Sequence, residues 1–156
     1  MIIAGVAMLL LLACNAPMQP IAPVPKETPT PLPDEFHAEM FSKRSQWRRQ
    51  GMPHYRIYFE FIEDASKPVV TYREVFIGNY AVRGVRCPAG ACPTTTFRDV
   101  ETVADVFNLM QRIPQSCIVD VRYDPYLYYP SYLSADCAEG INHPFALRIA
   151  RLVILN

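Results

Sequence analysis

The chain has 156 residues, 51% hydrophobic and 19% charged, a balance that excludes wholesale disorder and suits one globular domain behind any targeting segment. Lys plus Arg number 15, as do Asp plus Glu, and no long run of one sign occurs, so the electrostatic footprint of a nucleic-acid-binding protein is missing. No nucleic-acid partner is expected.

Residues 2–13 form an apolar run that is too short to cross a bilayer as a helix and stops at Ala13 before a lone cysteine, Cys14. That pattern predicts a signal peptide over 1–13, although no Lys or Arg precedes the apolar run. The junction Leu11-Leu12-Ala13-Cys14 resembles the bacterial lipobox, which implies lipid attachment at Cys14 and cleavage just ahead of it. Each buried methylene contributes about 0.8 kcal/mol, and two or more acyl chains hold a protein stably at a membrane. Asn15 is not the aspartate associated with inner-membrane retention, so in a Gram-negative cell the expected address is the outer membrane. The cell envelope, on the extracytoplasmic side, is the expected location.

Prolines at 17, 20, 23, 25, 29, 31 and 33 follow. Such a stretch cannot pack a core, and at about 3.1 Å per residue in polyproline II geometry it lifts a domain up to roughly 60 Å from the lipid. Residues 14–34 therefore read as a lipid-anchored linker and 35–156 as a single α+β domain.

Asp34 is placed to cap a first helix, with Phe36, Met40, Phe41 and Trp47 on its apolar side, Lys43, Arg44, Arg48 and Arg49 on its wetter side, and Gly51 and Pro53 as its stop. Tyr55, Ile57, Phe59 and Phe61 then alternate with Arg56, Tyr58 and Glu60, the period of a half-buried strand. A second strand is expected over 69–77, a tight turn with positive φ at Gly78-Asn79, and a return strand over 80–85. Thr102 opens a second helix whose Val103, Val106, Phe107, Met110 and Ile113 recur at helical spacing before Pro114. Val119, Val121 and Tyr123 alternate as the next strand, another starts at Ser131, and the apolar stretch 145–155 should lie centrally in the sheet. The expected fold is α+β, with a mostly antiparallel sheet of about five to six strands packed by two helices.

Five cysteines are present, and a lipidated Cys14 leaves the even set Cys87, Cys92, Cys117 and Cys137. An antiparallel hairpin centred on Leu127 sets Tyr123 opposite Ser131, Val121 opposite Leu133, Val119 opposite Ala135 and Cys117 opposite Cys137. A disulfide joining the last pair is therefore preferred, and its loop closure would contribute about 3 kcal/mol. Cys87 and Cys92 are separated by four residues, Pro-Ala-Gly-Ala, that favour a turn, a spacing equally open to a local disulfide and to a free or metal-bound pair.

The run Val121-Arg122-Tyr123-Asp124-Pro125, the pair Tyr129-Pro130, Asp136, and Thr102 to Phe107 resemble the uncharacterised bacterial family called domain of unknown function 6174. The likeness spans most of the domain and implies a secreted or lipid-anchored protein, with no activity attached. Tyr128 stands where many members have Gly before the Tyr-Pro pair, and Asn142-His143-Pro144 replaces an acidic cluster.

No catalytic motif is legible. His37, His54 and His143 are not at ligand spacing from one another, and Asp120, Asp124 and Asp136 are accounted for by turn and strand ends, so neither a metal nor a cofactor is expected. Tyr123, Tyr126, Tyr128, Tyr129 and Tyr132 crowd around Asp124, and tyrosines on a loop bury large area at low entropic cost, so this segment is the candidate binding surface. The function expected is that of a non-enzymatic envelope lipoprotein, a binding or accessory module whose partners are the membrane, through its lipid, and an envelope protein. An inhibitor or accessory subunit of a periplasmic enzyme, or a hydrolase with an unrecognised site, are the alternatives. Whether the domain takes a small-molecule ligand is left open by the sequence.

Overall fold

The computed structural model describes residues 34–65, 69–87, 92–93, 96–137 and 144–155. The expected signal peptide and linker before Asp34, with Cys14, and His143 lie outside the described residues.

The helix α1 (Asp34–Arg49) leads into a meander of β1 (Tyr55–Ile62), β2 (Val70–Gly78) and β3 (Ala81–Arg86); α2 (Val103–Gln111) then carries the chain to a second meander of β4 (Cys117–Tyr123), β5 (Pro130–Cys137) and β6 (Phe145–Ile154). The six strands form one sheet in the order β3-β2-β1-β6-β5-β4, and every neighbouring pair is antiparallel. The fold is thus α+β as expected. The first meander runs outward from the centre and the second runs inward from the far edge, so the first and last strands meet in the middle.

Strand alternation assigns the faces. Tyr55, Ile57, Phe59 and Phe61 of β1, Val75 and Ile77 of β2, Leu133 and Ala135 of β5, and Phe145, Leu147 and Ile149 of β6 are all buried on the side that the helices cover. Onto them pack Val103, Val106, Phe107, Leu109 and Met110 of α2, with Met40 of α1 and the loop residues Phe97 and Val100. Burying each such large side chain contributes about 1.5–3 kcal/mol. The start of α2 is fixed by a reciprocal capping box in which the Thr102 hydroxyl accepts from the Asp105 backbone N–H and the Asp105 carboxylate accepts from the Thr102 N–H.

Four local expectations are corrected. Phe41 is half exposed (50%) and belongs to no core face. Lys43 and Arg44 are partly buried rather than solvated, because Arg44 donates across to Gln111 Oε1 at 3.0 Å and Asn108 Oδ1 at 2.8 Å and ties α1 to α2. The β2–β3 turn has its positive φ at Asn79 (51°) and Tyr80 (61°); Gly78 instead ends β2 opposite Ala81, and two left-handed residues match the twist of the flanking strands. Tyr123 pairs with Pro130 rather than Ser131, since the register slips by one residue after Arg122.

Both disulfides are present. Cys117 opposes Cys137 in the β4–β5 register with 4.1 Å between their Cα atoms, and this bridge staples edge strand β4 to its neighbour. Cys87, just after β3, is bridged to Cys92, with 5.2 Å between Cα atoms.

Candidate functional site

The tyrosine segment is divided by the fold. Tyr129 is buried, its ring edge-on to Trp47 at 5.9 Å, and burial followed by the charge of Asp124 raises its pKa. Tyr123 is half-buried on the helix side, and its hydroxyl has no hydrogen-bond partner; burial, then the charge of Glu39, pushes its pKa upward. Lys43 of α1 lies 5.5 Å from the centres of both the Tyr123 and Tyr128 rings, which accounts for the partial burial of that lysine. Tyr128 holds φ at 65°, a left-handed conformation that glycine would adopt without steric cost. Asp124 acts as a turn former, its carboxylate accepting from the backbone N–H groups of Tyr126 and Leu127 at 2.9 and 2.7 Å. Only Tyr126, 81% exposed, projects freely, and Tyr132 lies on the other side of the sheet beneath Arg122, 5.3 Å away. The segment is a packed corner with a single projecting ring, not a continuous surface.

Among the described residues, no group of three or more His, Cys, Asp or Glu is arranged to hold a metal ion, and no helix is long and apolar enough to cross a membrane. His37 packs edge-on against Phe36 with ring centres 5.3 Å apart.

A larger polar ensemble occupies the sheet face that the helices leave uncovered. Register alone aligns two cross-strand rows there. One runs Arg86, Glu74, Tyr58, Arg151 across β3, β2, β1 and β6; the other runs Tyr72, Glu60, Arg148, Tyr132, Arg122 from β2 to β4. Between them the side chains interlock. Arg148 Nε donates to Glu60 at 2.8 Å, and Arg56 Nη1 lies 3.6 Å from Glu74 while also donating to the Tyr58 hydroxyl at 3.2 Å. The guanidiniums of Arg56 and Arg86 lie 4.5 and 5.1 Å from the centre of the Phe76 ring, and that of Arg151 lies 5.9 Å from the Tyr58 ring. Each such cation–aromatic contact contributes about 0.5–1 kcal/mol at an exposed site. Arg86 and Arg151 meet no carboxylate among the described residues.

This face is not flat. β6 carries one extra residue where its register with β1 shifts between Tyr58 and Phe59, since Tyr58 opposes Arg151 and Phe59 opposes Ile149. The extra residue is Ala150, which is exposed, and beside its short side chain opens a depression of about 530 Å³ lined by Tyr58, Glu60, Tyr72, Glu74 and Arg151. A bulge that re-aims side chains in mid-sheet is a recurring device at binding sites. Sequence reading had assigned Arg56, Tyr58 and Glu60 to the wetter side of β1 without treating them as a site; Arg148 and Arg151 join them only through the pairing of β1 with β6.

A second cleft, of about 240 Å³, lies between the end of α1, the β2–β3 turn and the start of α2, lined by Trp47, Met52, Tyr55, Tyr80 and Thr102. The Tyr55 phenol at its wall is pushed up to about 12, by burial first and the charge of Asp105 second, against the lowering effect of the Val103 backbone N–H.

Among the described residues, one charged side chain is buried on the covered face. Arg73, 4% exposed, donates from Nη1 to the carbonyls of Phe97 at 3.0 Å and Val100 at 2.7 Å and so pins the loop before α2 over the sheet. Burial lowers its pKa, while Glu101, Asp99 and Glu63 act in the opposite direction. No family model, no curated protein and no solved structure matches this chain.

Proposed function

We propose that this chain is a lipid-anchored module of the bacterial envelope, of the kind found in the family called domain of unknown function 6174, and that it acts by binding rather than by catalysis. The observation that carries the reading is the uncovered sheet face, where arginines and aromatic rings are interleaved in two cross-strand rows and two guanidiniums lack a carboxylate among the described residues. Antiparallel sheets commonly turn one face to water, but half-buried rings under guanidiniums are the composition of recognition surfaces, in which tyrosine and arginine are enriched. Two disulfides among the described residues agree with an oxidising compartment, and the lipobox at Cys14 supplies the address. The linker then sets the domain away from the lipid so that this face is free to meet another envelope component.

The address is tested by intact-mass measurement of the membrane fraction. The native protein should lack residues 1–13 and carry acyl mass on Cys14, whereas Cys14→Ser should keep its leader and gain no lipid; a full-length, unmodified cytosolic species would overturn the assignment. The face is tested by sedimenting the detergent-solubilised protein with envelope fragments. A variant combining Arg148→Glu and Arg151→Glu should be retained several-fold less than the wild type, and equal retention would remove the sheet face as the binding surface.

A further inference from the structure

We infer that the depression at the β6 bulge is a binding site for an acidic saccharide, a sugar bearing a carboxylate or a phosphate. The inference rests on the reading of the uncovered face as the binding surface, and it names the ligand chemistry which that face is built for.

Three observations converge. First, the space has a structural origin: Ala150 is the additional residue of β6, its side chain is the smallest a chiral residue can have, and the hollow beside it measures about 530 Å³, within the roughly 300–1,000 Å³ of ordinary ligand clefts.

Second, the hollow lies over β2, β1 and β6, strands paired on both sides. Their backbone N–H and C=O groups are taken up by the ladders, so an extended peptide finds no edge to add to. Recognition is left to side chains: two phenols, two carboxylates and the Arg151 guanidinium line the hollow beside Ala150, while Phe59 and Arg73, which also border it, are buried toward the covered face. This set of donors and acceptors on short spacings meets the many hydroxyls of a sugar, and the Tyr72 ring, 42% exposed, offers a flat apolar surface for the ring's C–H face.

Third, the charges select an acid. Glu60 is held by Arg148 and Glu74 by Arg56, so both carboxylates are already neutralised and retain only their spare acceptor capacity. Among the described residues, Arg151 has the Tyr58 ring as its partner and no carboxylate. A ligand carboxylate or phosphate would give it the bidentate partner that guanidinium geometry favours, and would offset the excess positive charge of a face on which Arg56, Arg86, Arg148 and Arg151 surround Glu60 and Glu74.

The test uses the full chain in detergent, titrated calorimetrically with a uronic-acid oligosaccharide, a sugar phosphate, the neutral sugar of each, and a glutamate oligopeptide. One or both acidic saccharides should bind, and which of them does identifies carboxylate or phosphate as the recognised group. The neutral sugars should bind about tenfold more weakly, and Arg151→Gln should remove the same factor, about 1.4 kcal/mol. Ala150→Trp fills the hollow from an exposed position and should abolish binding with melting temperature unchanged. Tyr72→Ala, on the neighbouring strand, should weaken it independently should the tryptophan disturb the bulge.

Absence of binding by either acidic saccharide, binding that survives both Ala150→Trp and Tyr72→Ala, or equal affinity for the glutamate oligopeptide would overturn the inference. If that happens while envelope sedimentation still responds to the double charge reversal, the ligand class alone is wrong. If sedimentation is also insensitive, the reading of the face falls with it.

Discussion

Along β1, Tyr55, Ile57, Phe59 and Phe61 are buried against the helices, while Arg56, Tyr58 and Glu60, one residue away in each case, face the uncovered side. The same strands thus build two surfaces with opposite physics. On the covered face close packing makes each apolar group matter: Phe59 stacks on Phe61 at 5.3 Å, Phe61 meets Phe97 at 4.7 Å, and Phe97 meets Phe145 edge-on at 5.4 Å, a continuous aromatic chain across the core. On the uncovered face, ion pairs and cation–aromatic contacts are wet and screened, each contributes little, and their arrangement matters more for what they present than for what they hold together. The comparison assigns stability to one side and leaves the other to the proposed recognition, and substitutions can separate the two.

The largest effect is expected at Phe59→Ala. Removing a ring that is 1% exposed should cost about 3–5 kcal/mol, a large share of a typical domain's 5–15 kcal/mol, and denaturant titration should show the midpoint fall accordingly. Next comes the double variant Cys117→Ala, Cys137→Ala. The bridge closes a separation of 20 residues, so its loss should cost about 3 kcal/mol, and amide exchange should rise first in edge strand β4.

A smaller effect follows from Tyr55, whose pKa is pushed up to about 12. A folded-state value above the unfolded one means that the native protein keeps its proton longer. The stabilisation is complete below about pH 10 and is lost as pH rises toward 12, on the order of 2 kcal/mol across that window. Tyr55→Phe should flatten this alkaline decline in unfolding free energy measured between pH 9 and 12. The smallest effect is expected on the uncovered face: Arg148→Gln breaks the pair with Glu60, whose partners are 59% and 28% exposed, and should change stability by no more than about 0.5 kcal/mol. A loss of several kcal/mol there would break the comparison, because it would make the outer face structural.

How far the sequence carried the fold is clearest at particular residues. The alternation in β1 placed Tyr55, Ile57, Phe59 and Phe61 inside, and all four are buried. The helical spacing after Thr102 found Val103, Val106, Phe107 and Met110, all buried along α2. The opposition of Cys117 and Cys137 came from counting outward from a hairpin and is present in the β4–β5 register. The candidate site was less legible. The tyrosines around Asp124 are adjacent in sequence, yet Tyr129 enters the core and Tyr132 faces the other side of the sheet, because strand direction and turn geometry send neighbouring side chains to different faces. Arg73 carried a signal that went unused, since it alternates in step with Val75 and Ile77 and so belongs to the covered face.

The sequence by itself determined the periodic elements, the α+β class and the hairpin that joins Cys117 to Cys137, because strand alternation, helical spacing, capping and turn chemistry act over a few residues. Only the tertiary structure decided that β6 lies beside β1 with an extra residue at Ala150, and hence that Arg148 and Arg151 meet Glu60 and Tyr58 from 88 and 93 positions away along the chain. Such a meeting depends on which strands find each other once both faces compete for burial, and no local pattern records that outcome.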